Sequence, residues 1–304
     1  MSPVVARRLR RALPLLVLLA ATAFIVRIGY SAYTSVSRSF DAVPAAPLAA
    51  TPEATGIPGL REVRFPRRAD GQPVAGWFVP ARNGAAVVIA HGSEADRTTM
   101  LAETRLLAAA GFGVLAFDWP GHGGSPGPND WGVRDASALL GAVDWLTGPA
   151  GIDPARIGGY GFSMGGYLLA RVAAGEPRLA AVVLAAPVPD LIGQLRYEHQ
   201  RWGALGIAPA LVALWRAGVP FEMPSALDAI PGIAPRPLLL IAGGEDRVVP
   251  PAQVGALFAA AGEPKALWVV PGAGHGDYGA VAGPAYAERV AGFYRCHLLA
   301  DCRP

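Results

Sequence analysis

Arg156-Ile157-Gly158-Gly159-Tyr160-Gly161-Phe162-Ser163-Met164-Gly165-Gly166 is the stretch on which the reading of this 304-residue chain turns. Its first part, Arg156–Tyr160, is a short run that reads as a strand, and Gly165–Ala174 carries a helical pattern. Between them Gly161-Phe162-Ser163-Met164-Gly165 matches G-x-S-x-G. That motif needs a strand before it, a helix after it and small residues where the backbone turns sharply. The turn exposes the serine hydroxyl at a helix start, where developing negative charge is favoured. Ser163 is therefore the candidate nucleophile.

Working outward, short apolar runs alternate with helical patterns. Strands are expected over Arg61–Phe65, Gly76–Val79, Ala86–Ala90, Gly113–Phe117, Ala180–Ala185, Pro237–Ala242 and Ala266–Val270. Helices are expected over Thr98–Ala110, Val133–Leu146, Pro251–Ala260 and Ala285–Leu299. Continuous apolar strands separated by helices imply a parallel sheet covered on both faces. About fifty residues interrupt the alternation after Ala185. They include the apolar stretch Ile207–Val219 and the aromatics Tyr197, Trp202, Trp215 and Phe221. An insertion at the strand ends of an open sheet falls where ligands bind, so residues 187–236 read as a helical cap.

A serine hydroxyl needs a base, and the chain has five histidines. In the order serine, acid, histidine, the candidates are His199, His275 and His297. His275 lies in Gly272-Ala273-Gly274-His275-Gly276, directly after a strand and on the edge that carries Ser163. His199 falls in the cap and His297 in the closing helix. The orienting acid should also follow a strand, and Gly243-Gly244-Glu245-Asp246 does so. Asp246 is preferred because the two glycines allow a tight turn that aims it inward, with Glu245 as the alternative. Oxyanion donors are expected from the backbone N–H of Met164 and from the loop after Ala90, where Ser93 is preferred over Glu94. His91 is expected to hold that loop by hydrogen bonds.

Taken jointly, His91-Gly92-Ser93, Asp118-Trp119-Pro120-Gly121-His122-Gly123-Gly124-Ser125, the serine elbow, Asp246 and Gly274-His275 stand in the order of a known family. Residues 60–300 resemble the α/β-hydrolase superfamily, in its serine aminopeptidase-like and monoacylglycerol-lipase-like branches. The resemblance implies the α/β-hydrolase fold, with a mostly parallel eight-stranded sheet. It also implies hydrolysis without a cofactor and a structural role for the turn Gly121–Ser125. Members with an aspartate nucleophile are not matched, since the elbow carries Ser163. The large oligopeptidases of similar sequence place a propeller in front, whereas only about sixty residues precede the domain here. The implied activity is cleavage of a carboxylic ester, thioester or amide of a small acyl substrate through an acyl-enzyme. Acyl transfer by the same residues, or a catalytically silent binding protein, are the alternatives.

Composition narrows the remainder. Hydrophobic residues make up 52% of the chain and charged residues 16%, which allows a sizeable core. The net charge of +3 comes from the first 55 residues, which carry +4. The remaining chain sums to −1, so no basic face for nucleic acid is expected. No metal-ligand cluster is visible in the sequence. Arg7, Arg8, Arg10 and Arg11 precede an uncharged run from Ala12 to Val26. Residues 1–30 read as a membrane anchor with the hydrolase domain outside the cytoplasm. A cleaved signal with a secreted product, or a cytosolic form, are the alternatives. Residues 31–59 read as a linker to a domain over 60–304. Outside the cytoplasm Cys296 and Cys302 can pair; two unpaired thiols are the alternative.

Overall fold

The computed structural model describes residues 3–40, 51–132 and 135–302, with side chains described from residue 13 onward. The expected linker positions 41–50, and the expected helix start at Val133 and Arg134, lie outside the described residues. Eight strands form one sheet: β1 (Arg61–Pro66), β2 (Pro73–Val79), β3 (Ala86–Ala90), β4 (Gly113–Phe117), β5 (Ile157–Phe162), β6 (Leu179–Ala185), β7 (Leu238–Gly243) and β8 (Lys265–Val270). Their order is β1-β2-β4-β3-β5-β6-β7-β8. Only β2 runs against its neighbours β1 and β4, and every other pairing is parallel. This is the α/β-hydrolase architecture.

The helices are α1 (Pro3–Arg38), α2 (Leu101–Ala109), α3 (Asp135–Thr147), α4 (Met164–Gly175), α5 (Leu191–His199), α6 (Ala204–Arg216), α7 (Ala226–Ala229), α8 (Pro251–Ala260), α9 (Tyr278–Ala282) and α10 (Pro284–Leu299). All five residues of β3 and all five of β4 are buried, as expected of central strands covered on both faces. Strand β5 is glycine-rich because helices press on it. A Cβ on Gly158 would fall 2.5 Å from the Tyr294 ring of α10. The α10 tyrosine also donates its hydroxyl to Gly159 O at 2.7 Å. Cys296 and Cys302 are joined by a disulfide at the end of that helix.

The chain divides into two compact units. The sheet unit holds residues 40–194 and 222–304. The second unit joins residues 1–39 to 195–221, a narrower piece of the insertion than residues 187–236. Within it α1 runs through Arg38, so residues 31–38, read from sequence as part of a linker, are helical. Ile28, Ala32 and Val36 repeat every four residues and are buried. They share this unit with Gly206, Ala210, Ala213 and Leu214 of α6, also buried. Polar Ser and Thr residues earn their place on this helix by bonding backward along it, as Thr34 Oγ1 does to Tyr30 O at 2.9 Å. From Leu13 to Arg38, α1 is long and apolar enough to cross a membrane.

Candidate active site

Ser163 is the single residue between β5 and α4, and its backbone sits at φ 53°, ψ −116°. A non-glycine residue there costs about 1–3 kcal/mol and persists only where its surroundings hold it. Here Ser163 N donates to Ala185 O at 2.9 Å, and Ser163 O accepts from Tyr167 N at 3.0 Å. Two residues on, the helix start lies against the end of β3. A Cβ on Gly165 would fall 2.3 Å from Ala90 O and 2.5 Å from His91 O. Only glycine fits that approach.

The structure brings His275 and Asp246 to this serine. His275 Nε2 lies 3.1 Å from Ser163 Oγ, and its Nδ1 lies 2.7 Å from Asp246 Oδ2. Asp246 Oδ1 accepts from the N–H groups of Val248 and Val249 at 2.8 and 2.9 Å. A carboxylate so placed accepts from Nδ1–H and leaves Nε2 to accept the serine proton. The two loops meet because Gly243 has no side chain: a Cβ there would fall 2.2 Å from Gly274 O. The His275 loop is closed by Gly274 N donating to Asp277 Oδ1 at 2.7 Å. Asp246 is buried whereas Glu245 is exposed, its N–H bonded to Ala273 O at 2.8 Å. Of the two neighbouring acids, Asp246 is the one against the imidazole.

Met164 is the first residue of α4, so its N–H belongs to the first-turn donors that lack an intrahelical acceptor. The loop after β3 passes alongside Ser163, with a Cβ on Gly92 falling 3.4 Å from Ser163 Cβ. Ser93 follows directly and is half-buried, while Glu94 is exposed with φ 53°. His91 is fully buried. Its Nε2 accepts from Trp119 N at 3.2 Å, leaving Nδ1–H to donate to Gly92 O at 2.7 Å. Burial, then the neighbouring His122, pushes its pKa down to about 3, so the ring is a neutral brace for the loop. Asp118 anchors the glycine turn that follows β4. It pairs with Arg97 and accepts from Gly124 N at 2.7 Å.

Sequence reasoning missed the packing behind the histidine. The Phe162 ring lies 4.8 Å from the His275 ring, and the five-residue α9 starts two residues after Gly276. Tyr278 of α9 lines a cavity of about 60 Å³ with Glu103, Tyr160 and Phe162. The proximity of two aromatic positions to the motif serine and histidine was the available signal. His199 belongs to the second unit, and His297 packs at 4.8 Å from the Phe293 ring of its own helix. Among the described residues no group of three metal-ligating side chains is gathered.

A model of the prolyl oligopeptidase family matches residues 98–300, more than half of the chain. The chain belongs to that family. As a prolyl oligopeptidase family member it is a serine hydrolase of the α/β-hydrolase superfamily. The matched segment contains Ser163, Asp246 and His275 and begins after Ser93. An uncharacterized protein of Mycobacterium tuberculosis is 36% identical over 213 residues, 68% of this chain and 70% of that one. An esterase of Pyrococcus furiosus superposes with a TM-score of 0.72 at 23% identity, covering 85% of this chain and 98% of its own. The α/β hydrolase GrgF of a Penicillium species gives 0.65 at 23% identity, over 79% and 99%. At those identities the two structures establish the fold of this family member.

Proposed function

We propose that the protein is a membrane-anchored serine hydrolase that cleaves a carboxylic ester of a small acyl substrate. The observation that carries this reading is the unbroken chain of hydrogen bonds from Ser163 through His275 to Asp246. In this reading His275 Nε2 takes the Ser163 proton as the oxygen attacks the acyl carbonyl. The N–H groups of Met164 and Ser93 receive the oxyanion. Collapse expels the alcohol, which takes the proton from His275, and leaves an acyl-enzyme. Water then repeats the sequence with His275 as base and frees Ser163. Asp246 holds the imidazole tautomer and stabilises the imidazolium throughout.

Acyl transfer to an acceptor other than water has one specific observation behind it. The polyketide transferase GrgF is 25% identical over 256 residues, spanning 87% of its own length. A panel of chromogenic esters of increasing chain length, run beside aminoacyl anilides, tests the ester reading. Turnover of anilides with no ester turnover overturns it. Added alcohols or amines that divert the acyl group, at constant release of the first product, favour transfer. A fluorophosphonate probe that fails to label the folded protein leaves only a silent binding fold.

Two features, α1 and the chain end, support the placement. Arginines stand before the apolar run, and the domain follows it, which favours an inside N-terminus. The Cys296–Cys302 disulfide fits an oxidising compartment on the far side. Retention in the membrane fraction after a carbonate wash is the expected result. A soluble form starting near Phe24 identifies a cleaved signal instead.

A further inference from the structure

Asp246 accepts from His275 Nδ1 with one carboxylate oxygen and from Val248 N and Val249 N with the other. The loop that carries those two donors has no regular structure to hold it. Residues 246–249 form neither helix nor strand, and Pro250 and Pro251, which follow, have no N–H to donate. Val249 is buried, whereas Val248 is 45% exposed. The peptide between them is anchored at one end by packing and needs a partner at the other.

That partner is Gln194, whose Nε2 donates to Val248 O at 2.7 Å. The carbonyl of Val248 and the N–H of Val249 belong to one planar trans peptide and point opposite ways. A bond at each end fixes the rotation of that plane, with Gln194 on the oxygen and Asp246 on the N–H. A donor on the oxygen also polarises the amide and strengthens what its N–H gives to the carboxylate. Gln194 is buried in the first turn of α5, and the start of that helix is pinned. Asp190 Oδ2 accepts from Gly193 N at 2.6 Å, and a Cβ on Gly193 would fall 2.6 Å from the same oxygen. Gln194 N donates to Asp190 O at 2.8 Å, and Pro189 O accepts from Ala226 N at 2.9 Å.

We propose that Gln194 is a positioning residue for the serine chemistry: through the Val248–Val249 peptide it aims the Asp246 carboxylate at His275. The proposal rests on the Ser163–His275–Asp246 reading given above. The effect of Gln194 passes through Asp246 and ends when that carboxylate is gone.

The test is a double-mutant cycle on the full chain, read by turnover of p-nitrophenyl butyrate and by the rate of fluorophosphonate labelling. Labelling reads the cycle whatever acyl group the protein prefers. Gln194→Met keeps the length of the side chain and removes the donor. In the native background it is expected to lower kcat about tenfold or more with KM within about twofold, as a small misplacement of a catalytic group does. In the Asp246→Asn background the imidazole already holds the wrong tautomer. There the same change is expected to move the rate by less than about twofold. Gln194→Ala takes the place of Gln194→Met in the cycle if methionine does not fit. Native kcat and labelling rate in the Gln194 variant overturn the proposal and leave the hydrolase reading standing. An equal loss in both backgrounds marks a general packing role and also overturns it. Native protein that neither labels nor turns over ester removes the triad reading and the proposal with it.

Discussion

Gly165 and Gly206 are both buried glycines in the first turn of a helix, and their surroundings differ in kind. At Gly165 the nearest atoms are the carbonyl oxygens of Ala90 and His91, 2.3 and 2.5 Å from where a Cβ would stand. They belong to the end of a central strand and its loop, so neither can retreat without moving the sheet. At Gly206 the nearest atoms are Trp202 Cβ at 3.0 Å and His199 O at 3.1 Å, in the turn leading into the helix. A small rotation of that turn relieves both. One region packs backbone on backbone and fixes a serine in a costly conformation. The other meets a turn through one side-chain and one backbone atom, at distances that ask only a few tenths of an ångström of them.

The largest effect that can sharpen this contrast is chemical. Ser163→Ala is expected to lower kcat by several orders of magnitude while thermal melting stays nearly unchanged, because the scaffold holds the turn and not the hydroxyl. Melting curves and ester turnover on one preparation check it, and a tenth of the native rate remaining would refute the assignment. Next, Asp246→Asn is expected to lower kcat about 10⁴-fold by presenting the wrong imidazole tautomer, while Glu245→Gln leaves it within about twofold. Exchange of the two outcomes would make Glu245 the acid.

Gly165→Ala should cost more than about 3 kcal/mol or abolish folding, as overpacking against fixed backbone does. Chemical denaturation, or failure to recover soluble protein, reads it. A smaller effect comes from His91 in the same region. Its pKa is about 3 folded against about 6.5 unfolded, so between these values the unfolded chain binds the extra proton. Stability is therefore lost as pH falls below about 6.5, by about 2 kcal/mol at pH 5. Melts at pH 7 and pH 5 should show the drop, and His91→Gln, which keeps a donor and an acceptor, should flatten it. Smallest is Gly206→Ala, where the gain of about 1 kcal/mol in helix propensity offsets the contact. A shift beyond about 1 kcal/mol by denaturation would show that the second unit is packed as tightly as the elbow.

The same contrast explains what could be read in advance. Strands β2 to β8 were legible as largely apolar runs, whereas β1 sets Val63 and Phe65 among charged residues. The elbow was legible because its glycines answer to local backbone geometry. Asp246 could be chosen over Glu245 from the turn before it. The extension of α1 through Arg38 was not legible, since Ser31, Thr34 and Ser35 look like linker residues until helix neighbours and backward hydrogen bonds hold them. α9 escaped for a related reason. Its five residues have too few turns to show a period, and its burial comes from Tyr278 packing in a cavity that only the tertiary fold creates. Ser93 stood on the loop order alone, and the structure adds the passage of Gly92 beside Ser163.

The unbroken course of α1 has a mechanical side. A flexible linker over residues 31–59 would let its ends wander by about 30 Å and leave the orientation of whatever follows free. A helix that carries Ile28, Ala32 and Val36 straight into its packing with α6 behaves as a post instead of a rope. An apolar helix adapts to bilayer thickness by tilting, at a fraction of a kcal/mol per Å of mismatch. If α1 crosses a bilayer as proposed, α6 tilts with it, because the two helices belong to one compact unit.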